Sequence, residues 1–207
     1  MYIPKIYSEK DKKNIFRIIN DNPFGILIAA QNNFPQASHL LFELIEINSD
    51  IYLYSHLATA NHLTKLLGSE IEFLSIFQGP SAYISPSWYK EMNVPTWNYI
   101  AVHCYGKTEI ISNNEDEYLL LERLVKRFEG KYNHKYKLEE LPTEFVKSEM
   151  RGVTSFKIKV DKIEAAFKLS QNRTDGDYRN IIINLSKSDL QEEQQISEEM
   201  RRKRNTK

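Results

Sequence analysis

Between Phe24 and His56 the chain packs three apolar, strand-length runs almost end to end, and this crowding limits what it can fold into more than any other feature. The runs are Phe24 to Ala30, Ala37 to Ile47 and Ile51 to His56, separated only by Gln31-Asn32-Asn33-Phe34-Pro35 and Asn48-Ser49-Asp50. Short Asn-rich separators between apolar runs read as hairpin turns, so the segment is expected to be a meander of hairpins. Strand patterning resumes at Glu70 to Gln78, with Ile71, Phe73 and Phe77 on one face and a break at Gly79-Pro80. It continues at Ala82 to Ile84, Trp97 to Ser112, Val153 to Val160 and Ala165 to Leu169. Seven or more closely spaced strands, with helices inserted rather than alternating, predict a mainly β, α+β architecture: an antiparallel, closed barrel with peripheral helices.

The inserted helices are legible from spacing. Ser8-x-x-Asp11 starts one that carries Ile15, Phe16, Ile18 and Ile19 and stops at Asn20-Asp21-Asn22-Pro23. Residues 59 to 67 place Leu63, Leu66 and Leu67 at helical spacing before Gly68, a left-handed terminator. Asn114 to Phe128 turns Leu121, Leu124, Val125 and Phe128 inward; a polar loop is expected over 131 to 141, and Pro142 starts a helix to Met150. A barrel domain is assigned to 1–185 and a charged C-terminal helical extension to 186–207. The extension has only Leu190, Ile196 and Met200 as apolar members and ends in Arg201-Arg202-Lys203-Arg204. It reads as a solvated, fraying end, with a DNA contact as the alternative.

Composition closes off several function classes. Lys plus Arg and Asp plus Glu number 28 each, so no global basic field draws nucleic acid or anionic lipid. Cys104 is the single cysteine, which excludes an intrachain disulfide and points to a reducing, cytoplasmic setting; mid-strand, it reads as an inert buried thiol. No apolar run approaches the roughly 20 residues of a membrane helix, so no membrane partner is expected. Neither GxGxxG nor GxxxxGK[ST] occurs, nor does metal-ligand His spacing or a legible catalytic triad.

Four segments carry more polar and aromatic residues than barrel packing requires. In Ser55-His56-Leu57-Ala58-Thr59-Ala60-Asn61-His62 a strand hands over to a helix whose free N–H groups suit an anion, with Thr59, Asn61 and Lys65 as further donors; the plain alternative is that Thr59 caps the helix and His56 is an edge residue. Gly79 to Tyr89 and Val94-Pro95-Thr96-Trp97-Asn98-Tyr99 offer rings on which a flat ligand could stack and an amide at its edge, though such rings also fill barrels and interfaces. Lys168-Leu169-Ser170-Gln171-Asn172-Arg173 ends a strand in cations and amides suited to a phosphate or a carbonyl edge.

In this order, and with the Met1-Tyr2-Ile3-Pro4 opening, these segments resemble the PaiB family of bacterial proteins, FMN-binding negative transcriptional regulators of sporulation and protease production. The resemblance runs to about Leu185. It implies an FMN-binding split β-barrel, a homodimer with cofactor sites at the subunit interface, and FMN contacts from His56, Thr59, Asn61, Lys65, Trp97, Asn98, Tyr99, Lys168, Gln171 and Arg173. Thr59 and Ser81 depart from the family pattern, which often has Arg or Lys and His at those places; a lost cation beside a phosphate is worth about 1.5 to 3 kcal/mol.

A regulatory flavin-binding dimer is therefore the leading expectation, with a non-enzymatic role. A flavin- or haem-dependent oxidoreductase of the split-barrel class and a cofactor-free dimeric scaffold are the alternatives. Direct DNA binding is expected to be weak, since no helix-turn-helix is legible. The dimer is expected because exposed Trp88, Tyr89, Trp97 and Tyr99 would otherwise leave an aromatic patch in water.

Overall fold

The computed structural model describes residues 1–130, 132 and 136–205, so residues 131 and 133–135 of the expected loop and residues 206–207 of the expected extension lie outside the described residues. The meander is present. Strand β1 (Phe24–Gln31) turns through Asn32 and Asn33, at φ 52° and 62°, into β2 (Phe34–Leu41). Strand β3 (Glu43–Ile47) turns through Asn48 and Ser49, at φ 51° and 74°, into β4 (Asp50–Ala58). Two successive residues in the left-handed region make the tight turn whose twist matches antiparallel strands, and Asn tolerates it better than most residues.

The expected strand Ala37 to Ile47 is in fact two, broken at Phe42. That side chain is fully buried, its N–H donates to the Pro23 carbonyl at 2.9 Å, and the Ser55 hydroxyl donates to the Leu41 carbonyl at 2.8 Å. Strands expected as pairs are instead continuous. Strand β5 (Glu72–Ile84) runs straight through Gly79-Pro80, because its antiparallel ladder with β1 spans Leu74 to Ile76 and Pro80 lies beyond it, where a missing N–H breaks no bond to β1. After β6 (Thr96–Ile110), β7 (Val153–Lys168) carries its exposed Asp161-Lys162 mid-strand without interruption.

The seven strands are ordered β2-β1-β5-β6-β7-β4-β3, with β1–β2, β1–β5, β3–β4 and β4–β7 antiparallel. β2 and β3 stand at the two ends of this order and are joined covalently through Phe42. Gly106 on β6 is obligatory, since a Cβ there would lie 1.9 Å from the Lys159 carbonyl oxygen.

The chain forms two compact units. One comprises Met1–Asn22, Phe77–His103 and Glu164–Lys207 and includes α1 (Lys12–Asp21), α4 (Asp175–Ser186) and α5 (Gln191–Asn205). Its buried residues include Ile18 and Ile19 of α1 and Ile100, Phe167, Ile181 and Ile196. The other comprises Pro23–Ile76 and Cys104–Ile163, with α2 (Asn114–Glu129) and α3 (Thr143–Met150) and a core that includes Leu27, Leu53, Phe73 and Phe156. In α2 the buried pair is Leu120 and Leu124; Leu121, Val125 and Phe128 are only half-buried, so the apolar stripe is rotated from the expected one.

Two features of the C-terminal region were not read from sequence. Helix α4 was missed, although Thr174 caps it by accepting from the Asp177 N–H at 3.3 Å. Helix α5 is no solvated end: Ile196 and Met200 are fully buried, and Arg17 and Glu9 of the N-terminal segment pair with Glu199 and Lys203. Among the described residues no helix is long and apolar enough to cross a membrane.

Candidate functional site

The first expected segment lies in the unit built from Pro23–Ile76 and Cys104–Ile163. His56 on β4 faces its register partner Ser155 on β7, whose hydroxyl donates to Glu117 Oε1 at 2.8 Å. Burial lowers the His56 pKa, the Glu117 carboxylate opposes that shift, and Nδ1 is buried without a hydrogen-bond partner. The expected helix after it is a single 3-10 turn, His62–Leu66, too short to present a row of free N–H groups. Asn61 rather than Thr59 caps it, accepting from the Leu63 N–H at 2.9 Å while its Nδ2 donates to Ser38 at 2.9 Å. The Thr59 N–H donates to the Gly152 carbonyl and its hydroxyl meets that of Thr154. The helix-start anion site is thus corrected. What the segment retains is an exposed Lys65 beside a concavity of about 360 Å³ shared with Phe34, Gln36 and His62.

The second, third and fourth segments meet in the other unit. At the end of β7, Lys168 Nζ donates to Thr96 Oγ1 of β6 at 2.6 Å. Ser170 then adopts φ 60°, and the turn that follows returns the Arg173 N–H to the Ser170 carbonyl at 3.0 Å. The Arg173 guanidinium lies 4.4 Å from the centroid of the Tyr89 ring, and its Nε is buried without a hydrogen-bond partner. Among the described residues no carboxylate pairs with Lys168 or Arg173. Burial, and after it the charge of Arg173, lower the Lys168 pKa, the direction expected of two cations that share a site without a counter-ion.

Trp97, next to Thr96 on β6, is 54% exposed, and Tyr83 of β5 meets it edge-on at 6.4 Å between centroids. Tyr99 and Trp88 are half-buried. Tyr89, expected on the exposed patch, is instead buried beneath Arg173, and its hydroxyl has no hydrogen-bond partner. Asn98 and Gln171 are taken up by the fold: Asn98 is fully buried against Ser170, while Gln171 accepts from the Leu169 N–H at 2.7 Å and donates to the Phe167 carbonyl. Two cations with no paired carboxylate among the described residues, and a hydroxyl beside one of them, suit an anionic group; the exposed Trp97–Tyr83 pair, one residue along β6, offers a flat aromatic surface of its own. Thr96 and Tyr83 lie beside these residues, inside segments whose polar-aromatic character marks them in the sequence although neither is named there as a ligand contact, and Tyr89 supports Arg173 rather than the exposed patch expected of it.

The C-terminal basic cluster is largely neutralised. Lys203 pairs with Glu9 at 2.7 Å, Arg202 with Glu199 at 3.6 Å, and Arg204 with Asp175 while stacking 4.2 Å from the Tyr178 ring centroid. Cys104 is buried, and burial pushes its thiol up to about 12.

A family sequence model described as Putative FMN-binding domain matches residues 1–162. Protease synthase and sporulation protein PAI 2 of Bacillus subtilis (strain 168) is 36% identical over 203 residues, covering 97% of this chain and 96% of that protein. Among solved structures, the flavocytochrome Anf3 from Azotobacter vinelandii superposes with a TM-score of 0.58 at 15% identity, over 86% of this chain and 78% of that one. The FAD and heme binding protein from Mycobacterium smegmatis does so with a TM-score of 0.56 at 10% identity, over 78% and 73%. At such identities the structural likeness speaks for the fold, which is that of the split-barrel flavoproteins. Lys168, Arg173, α4 and α5 lie beyond the residues matched by the family model.

Proposed function

The chain belongs to the family described as Putative FMN-binding domain, with FMN as its cofactor, and from that premise we propose that it is an FMN-binding negative regulator of transcription of the sporulation and protease-production type. The likeness to PAI 2 along nearly the whole of both chains supports the regulatory part. The observation that carries the cofactor part is the Lys168 and Arg173 pair, two cations held in one site with which no carboxylate pairs among the described residues. Bound FMN supplies reversible one- and two-electron chemistry. Lys168 and Arg173 receive its phosphate or the carbonyl edge of its ring, and Trp97 and Tyr83 offer the stacking face. Lys65, in the other unit, is a second candidate for a phosphate contact and is tested alongside.

The working species is a homodimer: exposed Tyr83, Met92, Val94 and Trp97 are apolar surface of the kind that association covers. Regulation acts through a partner rather than through strong direct DNA contact, since the basic cluster most suited to phosphates is paired internally. Titrating FMN into the purified protein, followed by flavin fluorescence and absorbance, is expected to give one flavin per chain. In a deletion strain, protease and sporulation transcripts should rise and return to normal with the parent gene. Absence of flavin uptake would remove the cofactor reading, and unchanged transcripts the regulatory one; a monomer by sedimentation at micromolar concentration would remove the dimer.

A further inference from the structure

Asn98 occupies a position that neither its neighbours in sequence nor the flavin reading explains. It is fully buried on β6 and touches both the turn after β7 and helix α5: its Oδ1 accepts from the Ser170 hydroxyl at 3.0 Å, and its Nδ2 donates to Met200 Sδ of α5 at 3.5 Å. Ser170 is the hinge of the turn that carries Lys168 on one side and Arg173 on the other, and it sits at φ 60°. A residue with a side chain holds that conformation only when its surroundings support it; here the Arg173 N–H holds the Ser170 carbonyl, Gln171 ties the turn to Leu169 and Phe167, and the buried Asn98 amide holds the Ser170 hydroxyl. Met200 is itself fixed, since its carbonyl accepts from the Tyr178 hydroxyl at 2.7 Å and its side chain is fully enclosed. The primary amide is suited to this place because it accepts at one end and donates at the other; Asp or Leu would satisfy at most one of the two contacts.

We propose that Asn98 is a positioning residue for the Lys168 and Arg173 site, and that through it the docking of α5 and the binding of FMN strengthen one another. The inference rests on the reading of that site as the flavin site. If α5 leaves, Asn98 Nδ2 loses its acceptor, the amide is free to rotate, and the turn at Ser170 loses the contact that fixes the spacing of the two cations. Coupling of this kind is reciprocal: the factor by which an undocked α5 weakens FMN is the factor by which FMN retains α5. A regulator whose partner grips α5 would thereby be sensitive to flavin, and its flavin affinity to the partner.

Two volume-sparing substitutions test this. Met200→Leu keeps the packing and removes the sulfur acceptor; Ser170→Ala removes the hydroxyl. Each is expected to weaken FMN binding about 5-fold or more. Each should weaken it by a smaller factor in a Lys168→Ala background, where only Arg173 is left to position, a non-additivity that general destabilisation does not produce. In the apoprotein, hydrogen exchange across residues 169–173 should accelerate in both variants while residues 52–58, in the β4–β7 ladder, stay unchanged. Adding FMN to the parent should slow exchange in residues 191–200. If the parent binds FMN and both variants bind it equally well, the positioning role is overturned and the flavin reading stands. If the parent takes up no flavin, the flavin reading falls, and unchanged exchange at 169–173 in the apoprotein overturns the positioning role on its own.

Discussion

Arg17 and Glu199 meet through two parallel hydrogen bonds, Nη1 to Oε1 at 2.8 Å and Nη2 to Oε2 at 2.6 Å, across 182 residues of chain. The forked geometry joins α1 to α5, and the carboxylate it satisfies is buried. Arg17→Ala leaves that carboxylate, among the described residues, with the more distant Arg202. It is expected to destabilise the protein by about 1 to 3 kcal/mol, between the values for exposed and for buried pairs, as measured by urea unfolding.

Glu9 gives the same junction a pH dependence. Burial pushes its carboxyl up, but the Lys203 ammonium and the N–H groups of Asp11 and Lys10 outweigh that and hold it below its ordinary value of 4.5. A carboxyl that is more acidic when folded contributes stability fully above its unfolded pKa and loses it as pH falls through the folded one. Thermal unfolding temperature should therefore drop below about pH 4.5 more steeply in the parent than in Glu9→Gln. Identical profiles would refute the assignment.

Lys168→Ala and Arg173→Ala should each cost about 1.5 to 3 kcal/mol of FMN affinity, roughly 10- to 150-fold, with circular dichroism unchanged. Flavin fluorescence titration reads this directly. If Lys65→Ala alone weakens binding, the phosphate contact belongs to that residue.

Cys104 is expected to be silent towards Ellman's reagent at pH 8 in the native protein and to react at once in denaturant, since its thiol is buried and raised to about 12. Stoichiometric labelling of folded protein would contradict this.

DNA affinity should be about micromolar or weaker at physiological salt and fall steeply as salt rises, because the chain has no net charge and three of its four clustered C-terminal cations face carboxylates. Fluorescence anisotropy with a promoter fragment checks it; nanomolar, sequence-dependent binding would overturn it.

What could be read from sequence divides along physical lines. Hairpins at Asn32-Asn33 and Asn48-Ser49 were legible because turn chemistry is local, and the strands around them because alternation is local too. The break at Phe42 was not, since it depends on a hydrogen bond to Pro23 and on burial that only the assembled sheet supplies. Pro80 misled for the converse reason: a missing N–H ends a strand only where a neighbour needs it. In the site, Lys168 and Arg173 are legible as cations, but that no carboxylate among the described residues pairs with them is a fact of three dimensions. Asn98 was marked as a ligand group because amides suit ring edges, and its partners Ser170 and Met200 lie 72 and 102 residues away. Helix α5 was judged by its few apolar residues, when Ile196 and Met200 suffice to seat it once Arg17 and Glu9 take its charges.

Strands β5, β6 and β7 each change over from one compact unit to the other in mid-strand, at Ile76–Phe77, His103–Cys104 and Ile163–Glu164. Neither unit is therefore a continuous stretch of gene. One is encoded in three pieces and the other in two, interleaved, so no start or stop codon can be placed to express either unit alone. A reading frame cut anywhere between residues 24 and 162 removes part of both, so deletion libraries should return survivors with neither boundary inside that span. A fusion partner or reporter has to be joined at the ends of this gene, never between its halves, because it has no halves.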